Sequence, residues 1–106
     1  MFKLIAFITF APHLTREEAR DYYETRHVPL VKSLMPAIVR YQRNHLAERT
    51  AGIDVVTELW FADRAAADRA IADARTAPSI AQRIADDEEN FMDRSATRLV
   101  IAEEAD

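Results

Sequence analysis

The chain has 106 residues, no cysteine, one glycine and a formal net charge of −4. That length suits one domain with a modest core, burying roughly 60–70% of the surface exposed by the unfolded chain. Without cysteine there are no disulfides, thiolate ligands or thiol nucleophiles; Gly52 alone cannot build a glycine-rich phosphate cradle; and the acidic balance argues against nucleic acid or an anionic membrane as partner.

No apolar run approaches the length of a membrane span. Met1-Phe2-Lys3 leads straight into a strand pattern without signal-peptide anatomy, so a soluble cytoplasmic protein is expected. Residues Phe2 to Phe10 read as the first strand. Phe2, Leu4, Ala6, Ile8 and Phe10 share one face, while Ile5, Phe7 and Thr9 share the other. Both faces are largely apolar, so both should be covered. After Ala11-Pro12-His13 a helix opens, with Thr15 and Glu18 as a capping box and Leu14 with Ala19 as a hydrophobic staple. Ala19, Tyr22, Tyr23 and Arg26 follow at helical spacing. Pro29 should push Val28 out of the α region and bend the backbone beside His27. Leu30, Val31, Leu34 and Met35 then predict a short helical stretch stopped by Pro36.

Ala37 to Leu46 reads as a second strand. Its polarity suggests a sheet edge, or one face on a wet cavity; Val39, Tyr41, Arg43 and His45 lie on one side. Thr50-Ala51-Gly52 is the turn into a third strand, Val55 to Phe61, which places Val56, Glu58 and Trp60 on one face. Asp63 caps an alanine-rich helix with a stripe at Ala67, Ala70, Ile71 and Ala74. Pro78 breaks it, and Ile80, Ala81, Ile84 and Ala85 mark a shorter helix that ends in the acidic run Asp86 to Glu89. Thr97 to Ala102 is the last strand. The order strand, helix, strand, strand, helix, strand predicts a ferredoxin-like βαββαβ sandwich of the α+β class, with a four-stranded antiparallel sheet in a single domain over residues 1–106. One helix layer covers one sheet face only. The apolar second face therefore calls for another copy packed against it, a homodimer whose two sheets enclose a shared interior.

His27 is the first candidate for chemistry: a titratable imidazole beside aromatics and carboxylates. Its bland reading is a half-buried helix-end histidine that favours the negative end of the helix dipole. His13, His27 and His45 are not paired at helical ligand spacing, so no metal site is expected. Tyr41, Arg43 and His45 supply a phenol, a cation and an imidazole to one side of the second strand; their bland reading is a solvated edge. Buried Glu58 would have a raised pKa and could act as acid or base. Alternatively it forms a salt bridge to a neighbouring strand, with Arg43 as a candidate. Trp60 reads as core or as a stacking surface. Four carboxylates at a helix C-terminus oppose the dipole unless some of them pair elsewhere. Arg26, His27 and Arg94 are the candidate partners. Asp21 and Glu24 flank the His27 turn and could orient the imidazole.

Several stretches, in order along nearly the whole chain, resemble the EthD-like family. They are Lys3-Leu4-Ile5-Ala6-Phe7, Leu14-Thr15-Arg16-Glu17-Glu18, Tyr22-Tyr23 and His27-Val28-Pro29-Leu30. Further along come Arg40-Tyr41, Asn44-His45, Glu58-Leu59-Trp60-Phe61 and Asp87-Glu88-Glu89-Asn90-Phe91-Met92-Asp93. The resemblance implies a dimeric α+β barrel, the fold expected above. Founding members accompany a cytochrome-dependent ether-degrading oxygenase. Relatives include methylmuconolactone methylisomerase and fungal polyketide dehydratases and decarboxylases, and superfamily neighbours include cofactor-free monooxygenases. His27 and Tyr41 match positions resembling the methylisomerase site. That enzyme also uses a histidine between strands two and three, and Glu48 to Asp54 holds none here.

The leading expectation is a homodimer acting without cofactor on a small apolar, cyclic or aromatic catabolic or polyketide-like substrate by isomerisation, dehydration or decarboxylation. His27 would be the general acid/base, contributing roughly 100- to 10,000-fold. Tyr41 would donate to a developing enolate or phenolate oxygen, and Asp87 or Glu88 would orient His27. Phe7 and Trp60 would shape the apolar wall, with Tyr23, Arg43, His45, Glu58 and Phe91 as further substrate contacts. The rivals are a non-catalytic accessory protein serving a partner oxygenase, and a cofactor-free oxygenase.

Overall fold

A computed structural model describes residues 1–76 and 78–105, with side chains described outside 74–78. It consists of β1 (Phe2–Ile8), α1 (Arg16–Tyr22), a π-helical turn (Tyr23–His27), α2 (Val28–Leu34), β2 (Arg40–Thr50), β3 (Ile53–Phe61), α3 (Arg64–Thr76), α4 (Pro78–Glu88) and β4 (Arg98–Glu103). All strand pairs are antiparallel, in the order β2-β3-β1-β4. This is the ferredoxin-like α+β arrangement expected from the sequence. Phe10 lies beyond β1 and forms an isolated bridge to Met92.

The register decides which face each side chain takes. Phe2 pairs with Phe61, Leu4 with Leu59, Ala6 with Thr57 and Ile8 with Val55, so these eight point to one side. The helices pack on that side. Ile8, Phe10 and Val55 cluster with Ala19, Tyr23, Val28, Phe91 and Met92, while Phe2, Leu4 and Phe61 cluster with Ala67. The stripe expected on the alanine-rich helix is present at Ala67, Ala70 and Ile71; the side chain of Ala74 lies outside the described residues. Asp63 caps α3 as expected, accepting from the Ala66 amide at 2.7 Å.

The opposite sheet face carries Lys3, Ile5 and Phe7 of β1, Val56, Glu58 and Trp60 of β3, and Val100 of β4. No described helix packs there. Lys3 Nζ bridges to Glu58 at 3.0 Å, so the salt bridge expected at Glu58 reaches a neighbouring strand, but not through Arg43. The correction follows from alternation: Arg43 faces Thr57, on the helix side, while Gln42 faces Glu58.

β2 is an edge strand and runs to Thr50, past its expected end at Leu46. Between His45↔Val55 and Thr50↔Ile53 its pairing is interrupted by a bulge. Asp54, fully buried, fills this defect. It accepts from Arg16 Nε at 2.8 Å, Arg49 Nη2 at 2.9 Å and the Phe10 amide at 2.8 Å, while Arg16 Nη2 donates to the Leu46 carbonyl at 3.0 Å. One carboxylate thus joins the end of β1, the start of α1 and the β2–β3 hairpin.

Candidate active site

The site is built where α1 passes into α2. The capping box fixes the start of α1: Thr15 Oγ1 accepts the Glu18 amide at 3.1 Å and Glu18 returns a bond to the Thr15 amide at 2.9 Å. After Tyr22 the helix widens into a π-turn, with the Val28 amide bonded to the Tyr23 carbonyl five residues back. The expected bend at Pro29 does not occur. Val28 keeps α-helical angles, φ −58° and ψ −48°. The wide turn shifts the register, so Pro29 falls in the first turn of a new helix, where a missing N–H and a proline ring are tolerated. Such bulges recur at functional sites. Here it sets Tyr23 and His27 side by side, ring centroids 5.7 Å apart.

His27 is 3% exposed. Its ring lies 4.9 Å from that of Phe91. Nδ1 is 2.8 Å from Asp87 Oδ2, and Asp87 Oδ1 accepts the Tyr22 hydroxyl at 2.6 Å. Burial pulls the His27 pKa below the ordinary 6.5, opposed by Asp87, so the imidazole is neutral at neutral pH. A carboxylate can only accept, which places the ring proton on Nδ1 and leaves the Nε2 lone pair available as a base. Of the two acids expected to orient His27, Asp87 does so. Glu88 pairs instead with Arg94, at 3.3 Å, and burial raises its pKa. The expected relief of the acidic helix end is thereby realised: Asp87 goes to His27 and Tyr22, and Glu88 and Glu89 go to Arg94.

A second polar system lies beside the first. The Tyr23 hydroxyl is 2.6 Å from Thr57 Oγ1 and 3.2 Å from the Tyr41 hydroxyl. Burial is the main cause that raises both phenols, Tyr23 to about 12 and Tyr41 further, so each remains a proton donor. Glu24 does not orient His27. It takes Arg43 in a two-pronged bridge at 2.8 and 3.0 Å and His45 Nε2 at 2.9 Å. Hydrogen bonding from Arg43 is the main cause that holds its pKa down, near 2.

Of the residues singled out in the sequence, the structure gathers His27, Asp87, Tyr23, Phe91, Tyr41, Arg43 and His45 on the helix side of the sheet. Phe7, Glu58 and Trp60 lie on the other face and do not wall His27 within one chain. Trp60 is covered there by Lys3 and Arg40 over its ring and by Glu104 at its indole nitrogen. A groove of about 400 Å³ runs between α2 and the start of β2. It is lined by Lys32, Met35, Pro36, Ile38, Val39, Arg40 and Tyr41, so it reaches Tyr41 but not His27. Among the described residues no three His, Asp or Glu side chains are placed to hold a metal ion, and no described helix is long and apolar enough to cross a membrane. Sequence reasoning missed Tyr22 and Thr57 as partners of the site. The available signal was spacing from Tyr22 and Tyr23 to His27, which an unwidened helix would have presented differently.

The fold defines a ferredoxin-like α+β protein, and within it a buried histidine is paired with an aspartate. The chain belongs to the EthD domain family, which matches residues 11–95. Among solved structures it is similar to an EthD family protein from Bacillus halodurans, with 20% identity, TM-score 0.74 and 99% of each chain covered. It is also similar to SnoaB, a cofactor-independent oxygenase from Streptomyces nogalater, with 17% identity, TM-score 0.64, and 99% of this chain and 93% of that one covered. A third is a dimeric protein of ferredoxin-like fold from Bacteroides fragilis, with 10% identity, TM-score 0.63, and 97% and 95% covered. At these identities the likeness is one of fold. No curated protein matches the chain.

Proposed function

We propose that the protein binds a small, mostly apolar, cyclic or aromatic molecule and moves a proton on it without a cofactor, in an isomerisation, dehydration or decarboxylation. The observation that carries this reading is the 2.8 Å contact between His27 Nδ1 and Asp87 Oδ2 inside an aromatic seat. Nε2 accepts a proton from a carbon next to a carbonyl, and the imidazolium that forms is stabilised by Asp87. Tyr41 donates to the oxygen that gains charge. For that, the hydroxyls run in one direction: Thr57 donates to Tyr23, Tyr23 to Tyr41, and Tyr41 to the ligand.

A second reading rests on the groove at Tyr41, whose lining does not include His27. There the protein binds its ligand without turnover and serves a partner oxygenase. Both readings are tested by dialysing the protein against chelator and assaying it alone on lactones, anthrones and phenolic acids. Turnover that falls sharply in His27→Ala and Tyr41→Phe is the expected result. Ligand binding without turnover, unchanged by either substitution, favours the accessory role. Oxygen uptake with turnover favours a cofactor-free oxygenase.

The working unit is a homodimer. The open sheet face presents Ile5, Phe7, Val56 and Val100, and a second copy laid on it removes this apolar area from water. Phe7 and Trp60 then wall the interior between the two sheets.

A further inference from the structure

We infer that Tyr22 is a positioning residue for His27 that acts through Asp87, sharing the carboxylate's charge and so limiting how tightly the imidazole holds a proton. The inference rests on the reading of His27 as the proton-transferring group. Asp87 divides its oxygens between two donors: Oδ1 accepts the Tyr22 hydroxyl at 2.6 Å and Oδ2 faces His27 Nδ1 at 2.8 Å. The direction of the phenol is fixed. A carboxylate only accepts, so the Tyr22 proton points at Asp87. The phenol oxygen in turn accepts Asn90 Nδ2 at 2.9 Å. That bond makes the hydroxyl a better donor to Asp87.

The ring is held as firmly as the hydroxyl. Tyr22 stacks on Phe91 with centroids 5.7 Å apart, and Phe91 stacks on Tyr23 at 4.9 Å. Phe91 also contacts the His27 ring. Tyr22 and His27, the two groups that Asp87 joins, are therefore held against one aromatic side chain. Burial and Asp87 both raise the Tyr22 pKa, so it stays a phenol and does not compete for the charge. The other charged groups close by are Arg26, which acts on Tyr22, and Glu88, which Arg94 pairs.

A carboxylate bonded by a second donor carries less charge toward its first partner. A proton on Nε2 is consequently released more readily than from an isolated His–Asp pair, which suits a base that must also return the proton. Sequence spacing hides this link, since Tyr22 and Asp87 lie 65 residues apart.

The test is an NMR titration of the His27 ring in the full chain, with its resonances assigned by their loss in His27→Ala. Tyr22→Phe keeps the ring on Phe91 and removes only the hydroxyl. Its expected effect is an upward shift of the His27 midpoint. Asp87→Asn shifts the midpoint downward, and adding Tyr22→Phe to it moves the midpoint no further. Asn90→Ala leaves Tyr22 in place and gives a smaller upward shift, which serves if Tyr22→Phe does not fold. An unmoved or lowered midpoint in Tyr22→Phe, or an equal displacement with and without Asp87, overturns the inference. The pH–rate profile separates this from the proposed function. If the midpoints respond as stated but no turnover depends on His27, the positioning role stands and the catalytic reading falls. If His27→Ala abolishes turnover while Tyr22→Phe leaves the midpoint in place, the reverse holds.

Discussion

Tyr23 supports both polar systems of the site, with its ring on His27 and its hydroxyl on Thr57 and Tyr41. Thr57 is 1% exposed, so removing the Tyr23 hydroxyl strands a buried hydroxyl. Tyr23→Phe is expected to lower stability by about 1–3 kcal/mol, read from the shift in denaturant midpoint. His27 gives a prediction in pH. Its folded pKa lies below the ordinary 6.5 because burial favours the neutral ring. The unfolded chain therefore binds the proton first on acidification. The stability His27 contributes is complete above about 6.5 and is lost as pH falls through the folded pKa. A variant His27→Gln should flatten that part of the stability–pH curve, as measured by urea unfolding at a series of pH values. A curve of unchanged slope would mean that the ring titrates freely.

Elements are joined at this site by single carboxylates. Glu24, in the π-turn, reaches across to Arg43 and His45 on β2. Its pKa falls from 4.5 to near 2, so its contribution is present above about 4.5 and is lost as pH drops toward 2. Glu24→Gln should weaken the fold at neutral pH and remove the part of the acid transition that lies in that window. The hairpin gives the opposite sign. Ala51 and Gly52 both have positive φ, 52° and 78°. Two-residue hairpins of this shape prefer Asn-Gly, because an alanine is strained there. Ala51→Asn should stabilise the protein by about 1 kcal/mol, visible as a higher Tm. Some of these features can be read in the sequence and some cannot. The Thr15–Glu18 box is local and was legible. Alternation along β2 and β3 is legible too, but which face the helices cover follows from topology, and it puts Phe7, Glu58 and Trp60 on the sheet face away from His27. The widened turn has no residue signature of its own. Taken locally, Pro29 predicts a bend, because its place in the helix depends on a register change several residues earlier. Asp54 and Glu24 find partners far along the chain, which no local pattern names.

For the whole molecule, the proposed homodimer rests on the open sheet face. The described helices cover only one side of β2-β3-β1-β4, and the other carries Ile5, Phe7, Val56 and Val100, with the Lys3–Glu58 ion pair among them on the central strands. A second copy laid on this face would remove its apolar side chains from water. Folding and association are then linked, so the unfolding temperature should rise with protein concentration. Val56 sits between Phe7 and Asn44 in the register, near the middle of the sheet. In a two-fold pairing of these faces, Val56→Lys introduces a cation from each copy into the contact, where the neighbouring carboxylate of Glu58 is already paired with Lys3. Half-buried in the single chain, the position tolerates a lysine whose stem lies along the sheet and whose amine reaches water. The expected outcome is a species of 12.1 kDa by light scattering, with the far-ultraviolet spectrum of the parent and a Tm that no longer depends on concentration. If the parent protein already scatters as a 12.1 kDa species at micromolar concentration, the paired-sheet assembly is wrong, and Phe7 and Trp60 wall no interior between two sheets.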